Sequence, residues 1–126
     1  MKNFLLVMLS LVLSVGAMAQ SETDGLVNAL KKADWSGVEA RMDDMVDLKL
    51  LDKDELKNMS RTQALVAFKQ FYAERGIRQF DKLSEGGRGG MVYLVGKLSD
   101  GNKSYNLTLQ LRQKNGQLVI ITLRVS

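Results

Sequence analysis

The spacing of apolar residues changes at Gly76, and this change constrains the fold more than any other feature of the sequence. Over the residues 64–72 that precede Gly76 the apolar residues recur at helical spacing, and after Gly76 they alternate with polar residues. Alternation of this kind is typical of strands that bury one face. We predict three or four strands, at about residues 77–83, 91–98, 103–113 and 117–125. Short glycine-containing turns separate them, so consecutive strands are expected to pair antiparallel.

The hairpin around Asn115 and Gly116 has two candidate registers. A two-residue loop would set the leucines of one strand against a mixture of polar and apolar residues. A three-residue loop that also includes Lys114 would set them against apolar residues only. The pairs would then be Leu107–Leu123, Leu109–Ile121 and Leu111–Val119. Because a one-residue slip turns every side chain to the opposite face, burial favours the three-residue loop, with a bulge and a left-handed Gly116.

A helix is predicted between Ser60 and Gly76. Ser60 and Gln63 form a capping box, in which the Ser hydroxyl accepts the backbone N–H three residues later. Gly76 stands where a left-handed residue ends a helix. The apolar face of this helix carries Ala64, Leu65, Phe68, Phe71 and Tyr72.

The segment before Ser60 is predicted to hold two shorter helices and one strand. The first helix covers about residues 23–32, and Asp34 caps the second. Residues 46–50 alternate as a strand, and the charged residues 51–59 are predicted to form a loop. Helices that precede a run of antiparallel strands indicate an α+β fold, with the helices packed on one face of the sheet.

Residues 1–19 resemble a secretory signal peptide. Lys2 precedes a run of apolar residues, and Ala17-Met18-Ala19 matches the small-x-small cleavage pattern. The apolar run is shorter than the roughly 20 residues of a membrane-spanning helix. We therefore expect cleavage near Ala19-Gln20, a single domain over residues 20–126, no membrane span in the mature chain, and a periplasmic or extracellular location.

Composition excludes several kinds of chemistry. The chain has no His and no Cys, which removes His-dependent catalytic triads, thiolate nucleophiles, disulfides and the usual zinc ligands. The acidic stretch between Asp43 and Glu55 matches no full EF-hand calcium loop, and the single glycine- and arginine-containing segment at residues 85–90 lacks interleaved aromatic residues. We predict no metal, no cofactor and no nucleic-acid partner.

Net charge is unevenly distributed along the chain. The formal charge is +4, yet residues 20–59 are acidic and residues 60–126 are basic. The basic residues are dispersed rather than clustered. Attraction between the two parts within the fold is therefore a better explanation than a site for an anionic partner.

The order of elements resembles the nuclear transport factor 2-like superfamily, also called cystatin-like or SnoaL-like. The chain looks most like a family of small secreted bacterial proteins of unknown function within it. The resemblance covers nearly all of residues 20–126 and is carried by packing and turn signatures. Among them are Ala29-Leu30-Lys31-Lys32-Ala33-Asp34, Ser60-x-x-Gln63-Ala64, Phe68-x-x-Phe71, Tyr93-Leu94-Val95-Gly96 and Tyr105-x-Leu107-x-Leu109. The resemblance implies a cone in which helices close a curved sheet and sometimes leave a pocket.

Two sets of residues are candidate sites. If the cone leaves a small apolar pocket, we expect its lining to include Trp35, Phe68, Tyr72, Tyr93 and Tyr105. The outer sheet face in the predicted register could support a homodimer, because it contains two apolar residues in polar surroundings. This face would carry Thr108, Gln110, Leu118, Ile120, Thr122 and Arg124.

We predict a non-catalytic binding or interaction module with a small apolar ligand. One alternative is a cofactor-free isomerase- or dehydratase-like enzyme that uses an Asp, such as Asp47 or Asp81, and a Tyr. The other alternative is a structural homodimer with a filled core. Fold resemblance alone does not choose among them.

Overall fold

The computed structural model describes residues 23–126. The predicted signal peptide, residues 1–19, lies outside this range. Helix α1 covers residues 23–32, and helices α2 and α3 follow at Trp35–Glu39 and Arg61–Arg75. Within the described chain no helix is long and apolar enough to cross a membrane.

Six strands form one open, curved sheet. They are β1 Met42–Leu50, β2 Leu56–Ser60, β3 Gln79–Arg88, β4 Met91–Ser99, β5 Ser104–Lys114 and β6 Gln117–Val125. Their order across the sheet is β2-β1-β6-β5-β4-β3, and every neighbouring pair is antiparallel except β1–β6, which is parallel. The predicted α+β architecture is confirmed. The predicted loop at residues 51–59 is partly wrong, since its second half forms the edge strand β2.

Both predicted caps around α3 are confirmed. The Ser60 hydroxyl accepts the backbone N–H of Gln63 at 3.3 Å, and Gly76 has φ +62°, in the left-handed region. The Asp34 carboxylate caps α2 by accepting the N–H of Gly37 at 3.2 Å. These signals act over three or four residues, so the sequence alone is sufficient to locate them.

The predicted three-residue loop in the last hairpin is wrong. Asn115 and Gly116 both have positive φ, +53° and +79°, and form a two-residue loop after which Lys114 pairs with Gln117. A bulge at Ile121 in β6 then restores the apolar pairing by shifting the register between Leu111–Ile120 and Gln110–Thr122. The bulge in the middle of β6 thus sets apolar residues of β5 and β6 opposite one another, which the longer loop was expected to do.

The glycine-rich segment at residues 86–90 is mostly strand rather than loop. Gly87 pairs with Val92 and Arg88 with Met91, so only Gly89 and Gly90 turn the chain, both with positive φ. The hairpin β3–β4 is therefore longer than the alternating pattern indicates. It extends the sheet on the side opposite β2.

The hydrophobic core lies between the helices and one face of the sheet. Helix α1 contributes Leu26 and Leu30, α3 contributes Phe68, and the middle of β5 contributes Leu107 and Leu109. All five side chains are almost completely buried. The opposite sheet face, which the described helices do not cover, is called the outer face below.

Candidate functional site

A cavity of about 300 Å³ opens between α3 and the loop after β1. We call it the α3 pocket. Its lining residues are Leu50, Leu51, Asp52, Lys53, Ala67, Gln70, Phe71, Glu74 and Arg75. The α3 members recur at positions i, i+3, i+4, i+7 and i+8, so they form one stripe along the helix. The lining combines apolar side chains with charged and amide groups.

The loop side of the α3 pocket has an unusual backbone. Leu51 has φ +52°, a left-handed conformation that costs a non-glycine residue about 1–2 kcal/mol. Its N–H donates to the carbonyl of Val125 at 2.8 Å. The Lys49 ammonium donates to the carbonyls of Leu51 at 3.1 Å and Lys53 at 2.8 Å. These bonds hold the strained loop in place, and strain of this kind is concentrated at functional sites.

Arg75 lies against two aromatic rings at one end of its helix, next to the α3 pocket. Its guanidinium lies 6.0 Å from the ring centre of Phe71 and 5.9 Å from that of Tyr105, at the range of cation–π contacts. The two rings meet edge to face at 5.5 Å. Among the described residues Arg75 forms no ion pair, although the carboxylates of Asp52 and Glu74 line the same pocket.

Three of the predicted pocket residues pack against one another instead of lining the α3 pocket. Trp35, Phe68 and Tyr72 form an edge-to-face cluster with ring centres 4.7–5.8 Å apart. Phe68 is completely buried, and only Trp35 is partly exposed, in a shallow groove between α2 and α3. Tyr105 lies beside the α3 pocket through its contact with Phe71.

The prediction that Tyr93 lines an inner pocket is wrong. Tyr93 is 45% exposed and pairs with Gln110 on the outer face. Its neighbour Leu94 takes the buried position instead. The sequence left both faces of this strand open, because its odd and even positions are equally apolar.

The outer face holds only part of the predicted dimer surface. Thr108, Gln110, Thr122 and Arg124 lie on it, as predicted. Ile120 does not, since it is 0% exposed and pairs with Leu111 in the core, and Leu118 packs against the core as well. The bulge at Ile121 causes the difference. The homodimer hypothesis therefore loses the two apolar residues on which it depended.

The outer face also contains an open cavity of about 440 Å³. We call it the sheet trough. Its lining residues are Asp47, Glu55, Lys57, Tyr93, Thr108, Gln110, Thr122 and Arg124. The pairings Tyr93–Gln110, Gln110–Thr122 and Thr122–Asp47 place one row of side chains across β4, β5, β6 and β1.

The described residues offer no Asp–Tyr pair suited to acid–base catalysis in either cavity. Asp81 is exposed, and no tyrosine lines the α3 pocket. Asp47 and Tyr93 share the sheet trough, but three strand spacings, or about 14 Å, separate their positions. The Asp47 carboxylate also accepts the N–H of Asn58 at 2.9 Å. The two groups could not act on one bond.

A network of charged residues around Asp43 links β1 to β5 and to α3. The Asp43 carboxylate accepts from the Lys114 ammonium at 2.7 Å and from Arg112 at 3.5 Å. The hydrogen bond from Lys114 is the main reason why the pKa of Asp43 lies below its ordinary value. Neighbouring Asp44 binds Arg61 at 2.6 Å. Acidic β1 thus meets basic residues of the second half, the internal attraction expected from the charge distribution.

Most residues of the α3 pocket were not predicted from the sequence. The loop residues Leu51 and Lys53 were assigned only to a charged loop, and Gln70 and Arg75 were not considered. The helical stripe at residues 67, 70, 71, 74 and 75 was a detectable signal. The loop against which it lies was not detectable, because its conformation depends on bonds to Val125 and Lys49.

Comparison with protein families finds a match over the described part of the chain. The profile of the family described as Domain of unknown function (DUF4783) matches residues 23–126. A search of curated proteins finds no match to this chain.

Solved structures of similar fold include members of the same family. The DUF4783 family protein of Bacteroides uniformis is 19% identical, with a TM-score of 0.73 over 82% of this chain and 94% of that chain. The family protein of Bacteroides ovatus is 20% identical, with a TM-score of 0.71 over 80% and 90%. An NTF-2 like protein of unknown function from Shewanella oneidensis is 14% identical, with a TM-score of 0.59 over 84% and 93%.

At these sequence identities the solved structures show the fold alone. That fold is the nuclear transport factor 2-like fold that the packing and turn residues of the sequence resemble. The family match covers the whole of the described chain. This protein belongs to the DUF4783 family, a domain of unknown function with a nuclear transport factor 2-like fold.

Proposed function

We propose that this protein is an exported, non-catalytic binding protein that holds a small amphipathic molecule in the α3 pocket. The observation that carries the proposal is the make-up of that pocket, which combines apolar side chains with charged and amide groups. Its volume of about 300 Å³ is at the lower end of the range of about 300–1,000 Å³ typical of small-molecule sites. Export rests on the signal-peptide pattern of residues 1–19.

The lining indicates what the molecule would look like. Leu50, Leu51, Ala67 and Phe71 offer apolar contact to its body. Gln70 and the guanidinium of Arg75 offer N–H donors to a polar end group, and the two cations of the lining, Lys53 and Arg75, are balanced by the carboxylates of Asp52 and Glu74. An amphipathic molecule of this kind matches both parts of the pocket.

The rigidity of the loop supports binding rather than a filled core. A strained Leu51 is maintained by three hydrogen bonds around it, which keeps the wall preformed. A preformed site loses less conformational entropy on binding.

The experiment compares two tryptophan substitutions on the same helix. Ala67→Trp fills the α3 pocket from its wall, whereas Val66→Trp places the same side chain at an exposed position, 48% accessible, outside the pocket. The protein purified from its own cell envelope is examined by native mass spectrometry for a retained small molecule. Binding of the fluorescent anion 1-anilinonaphthalene-8-sulfonate is measured in parallel.

We expect the unmodified protein and Val66→Trp to bind the probe equally and Ala67→Trp to lose binding. Circular dichroism verifies that both variants are folded. Equal binding by all three proteins would show that the probe sits elsewhere and would contradict the proposal. Absence of both a retained molecule and probe binding in the unmodified protein would contradict it as well.

A further inference from the structure

The sheet trough is a second concave surface, separate from the α3 pocket and on the other side of the sheet. Its volume of about 440 Å³ is sufficient for a small ligand by the usual range of about 300–1,000 Å³. The side chains of one row, from Tyr93 through Gln110 and Thr122 to Asp47, project from neighbouring strands at regular spacing. Rigid strands therefore position the lining, which favours specific recognition.

The charges within the trough cancel. Arg124 donates to the Glu55 carboxylate at 2.8 Å, and the remaining charged residues of the lining are one cation, Lys57, and one anion, Asp47. A lining of this composition has no net attraction for an anion or a cation. Charge complementarity therefore favours a neutral ligand.

The remaining lining groups are suited to hydroxyl groups. Gln110, Thr108 and Thr122 form no side-chain hydrogen bond with another residue of the described chain. An amide and two hydroxyls supply both donors and acceptors, as does a ligand rich in hydroxyl groups. They lie in adjacent positions of β5 and β6.

Tyr93 supplies the single aromatic surface of the lining. Tyr93 is 45% exposed on β4, a strand in the interior of the sheet, and its partner on the neighbouring strand β5 is the polar Gln110. An exposed ring of this type offers a flat apolar contact with a polar hydroxyl at its edge. The C–H face of a pyranose ring fits such a contact, while the hydroxyls at its rim reach the neighbouring polar groups.

We propose that the sheet trough is a binding site for a neutral saccharide of one or two rings, which stacks on Tyr93. Gln110, Thr108 and Thr122 bind its hydroxyls, and the Arg124–Glu55 pair closes the site toward β2. A nucleotide or phosphorylated sugar fits less well, since the two cations of the lining, Lys57 and Arg124, are balanced by the carboxylates of Asp47 and Glu55. A purely apolar ligand would find only one ring to contact.

The experiment is a titration of the ¹⁵N-labelled protein, followed by amide NMR shifts. The probes are glucose, galactose, mannose and N-acetylglucosamine, their β-linked and α-linked disaccharides, and, for comparison, inorganic phosphate and citrate. We expect at least one neutral sugar to shift amides around residues 93, 108, 110 and 122. Phosphate and citrate are expected to leave these amides unchanged.

Two variants of Tyr93 test the stacking contact. Tyr93→Ala is expected to weaken binding of that sugar by about tenfold or more, the loss typical of an aromatic anchor, whereas Tyr93→Phe keeps the ring and most of the affinity. Leu83→Ala, at a 56% exposed position of β3, is the matched control and should bind as the unmodified protein does. Ala67→Trp in the α3 pocket should leave sugar binding intact, which separates this site from the proposed function.

Several results would overturn the proposal. They are a panel in which no neutral sugar shifts the trough amides, equal affinity of Tyr93→Ala and the unmodified protein, and stronger binding of phosphate than of any sugar. Concentration-dependent shifts of the same amides without sugar would also overturn it, because they would show that a second copy of the chain covers the trough.

Discussion

The ring of Trp35 stands edge-on to the ring of Tyr72, with the ring centres 4.7 Å apart and the planes at 83°. The ring of Phe68 completes the cluster, with its centre 5.0 Å from that of Tyr72. The Tyr72 hydroxyl is buried by this packing and has no hydrogen-bond partner among the described residues. Burial raises the pKa of this hydroxyl well above its ordinary value, so it stays neutral. A polar group is thus desolvated without compensation.

Tyr72→Phe should stabilise the protein. The substitution removes the buried hydroxyl and keeps the ring contacts, so we expect the free energy of unfolding to rise by about 1 kcal/mol. Urea unfolding measures the change. Tyr105→Phe, at a partly exposed ring, serves as the control and should change stability by less. A loss of stability in Tyr72→Phe would show that the hydroxyl has a hydrogen-bond partner in solution.

Gly96→Ala should destabilise the sheet. A Cβ at Gly96 would overlap the Phe80 ring and lie 2.8 Å from the Asp81 carbonyl, so the core would have to shift. Overpacking of this kind costs about 1–3 kcal/mol. Gly86→Ala is the matched control on the neighbouring strand, since a Cβ there meets no atom within 4 Å. Thermal unfolding of the two variants should differ clearly, and equal melting temperatures would contradict the close packing of Phe80 on β4.

Asp43→Asn should lower stability at neutral pH by about 1–2 kcal/mol, because the bonds from Lys114 and Arg112 lose their ionic partner. The pKa of Asp43 is lowered in the folded state, chiefly by the Lys114 hydrogen bond. The ionised carboxylate therefore stabilises the protein fully above about pH 5, and this contribution is lost as the pH falls through the folded-state pKa.

Urea unfolding of the unmodified protein and of Asp43→Asn at several pH values checks this sign. The difference between the two should be constant above about pH 5 and should shrink below about pH 4. Asp54→Asn, at an exposed loop position, is the control and should follow the unmodified protein. A difference that grows toward acid would contradict the assignment.

Ile120→Asp should prevent folding rather than change the oligomeric state. Ile120 is completely buried against Leu111, so an aspartate there would be a buried, unpaired charge. Thr122→Asp, two residues along β6 on the outer face, should remain folded. Circular dichroism and size-exclusion chromatography distinguish the outcomes. A folded, soluble Ile120→Asp protein would refute the bulge at Ile121 and restore the outer-face assignment.

Local features of the structure were largely predictable from the sequence. Signals that act within a few residues predict the helix between Ser60 and Gly76 and the Asp34 cap. The tight turns predict that consecutive strands from β3 through β6 pair antiparallel. The edge strand β2 was missed, because its five residues are mostly exposed and show no alternation.

The candidate sites were less predictable because they depend on pairing between distant residues. The α3 pocket needs the loop at Leu51, whose conformation is held by Val125 far along the chain. The sheet trough requires β1 to lie beside β6. This pairing is parallel and joins distant parts of the chain, so no turn motif in the sequence predicts it. Without the neighbouring loop or strand, the pattern of residues in the α3 stripe or in the polar row is typical of an ordinary exposed surface.

The sequence by itself determined the types of the main elements, most of their ends and the one-sided burial of the sheet, since hydrophobic period and caps are properties of neighbouring residues. Only the tertiary structure decided which face Ile120 and Tyr93 occupy. The bulge at Ile121 sets the register of β6, and it is stabilised by the pairing of β6 with β5 on one side and with β1 on the other. Because side chains alternate between faces, that one unpaired residue determines which groups of β6 reach the core and which the outer face, whereas the face of Tyr93 follows from the regular pairing of β4 with β5.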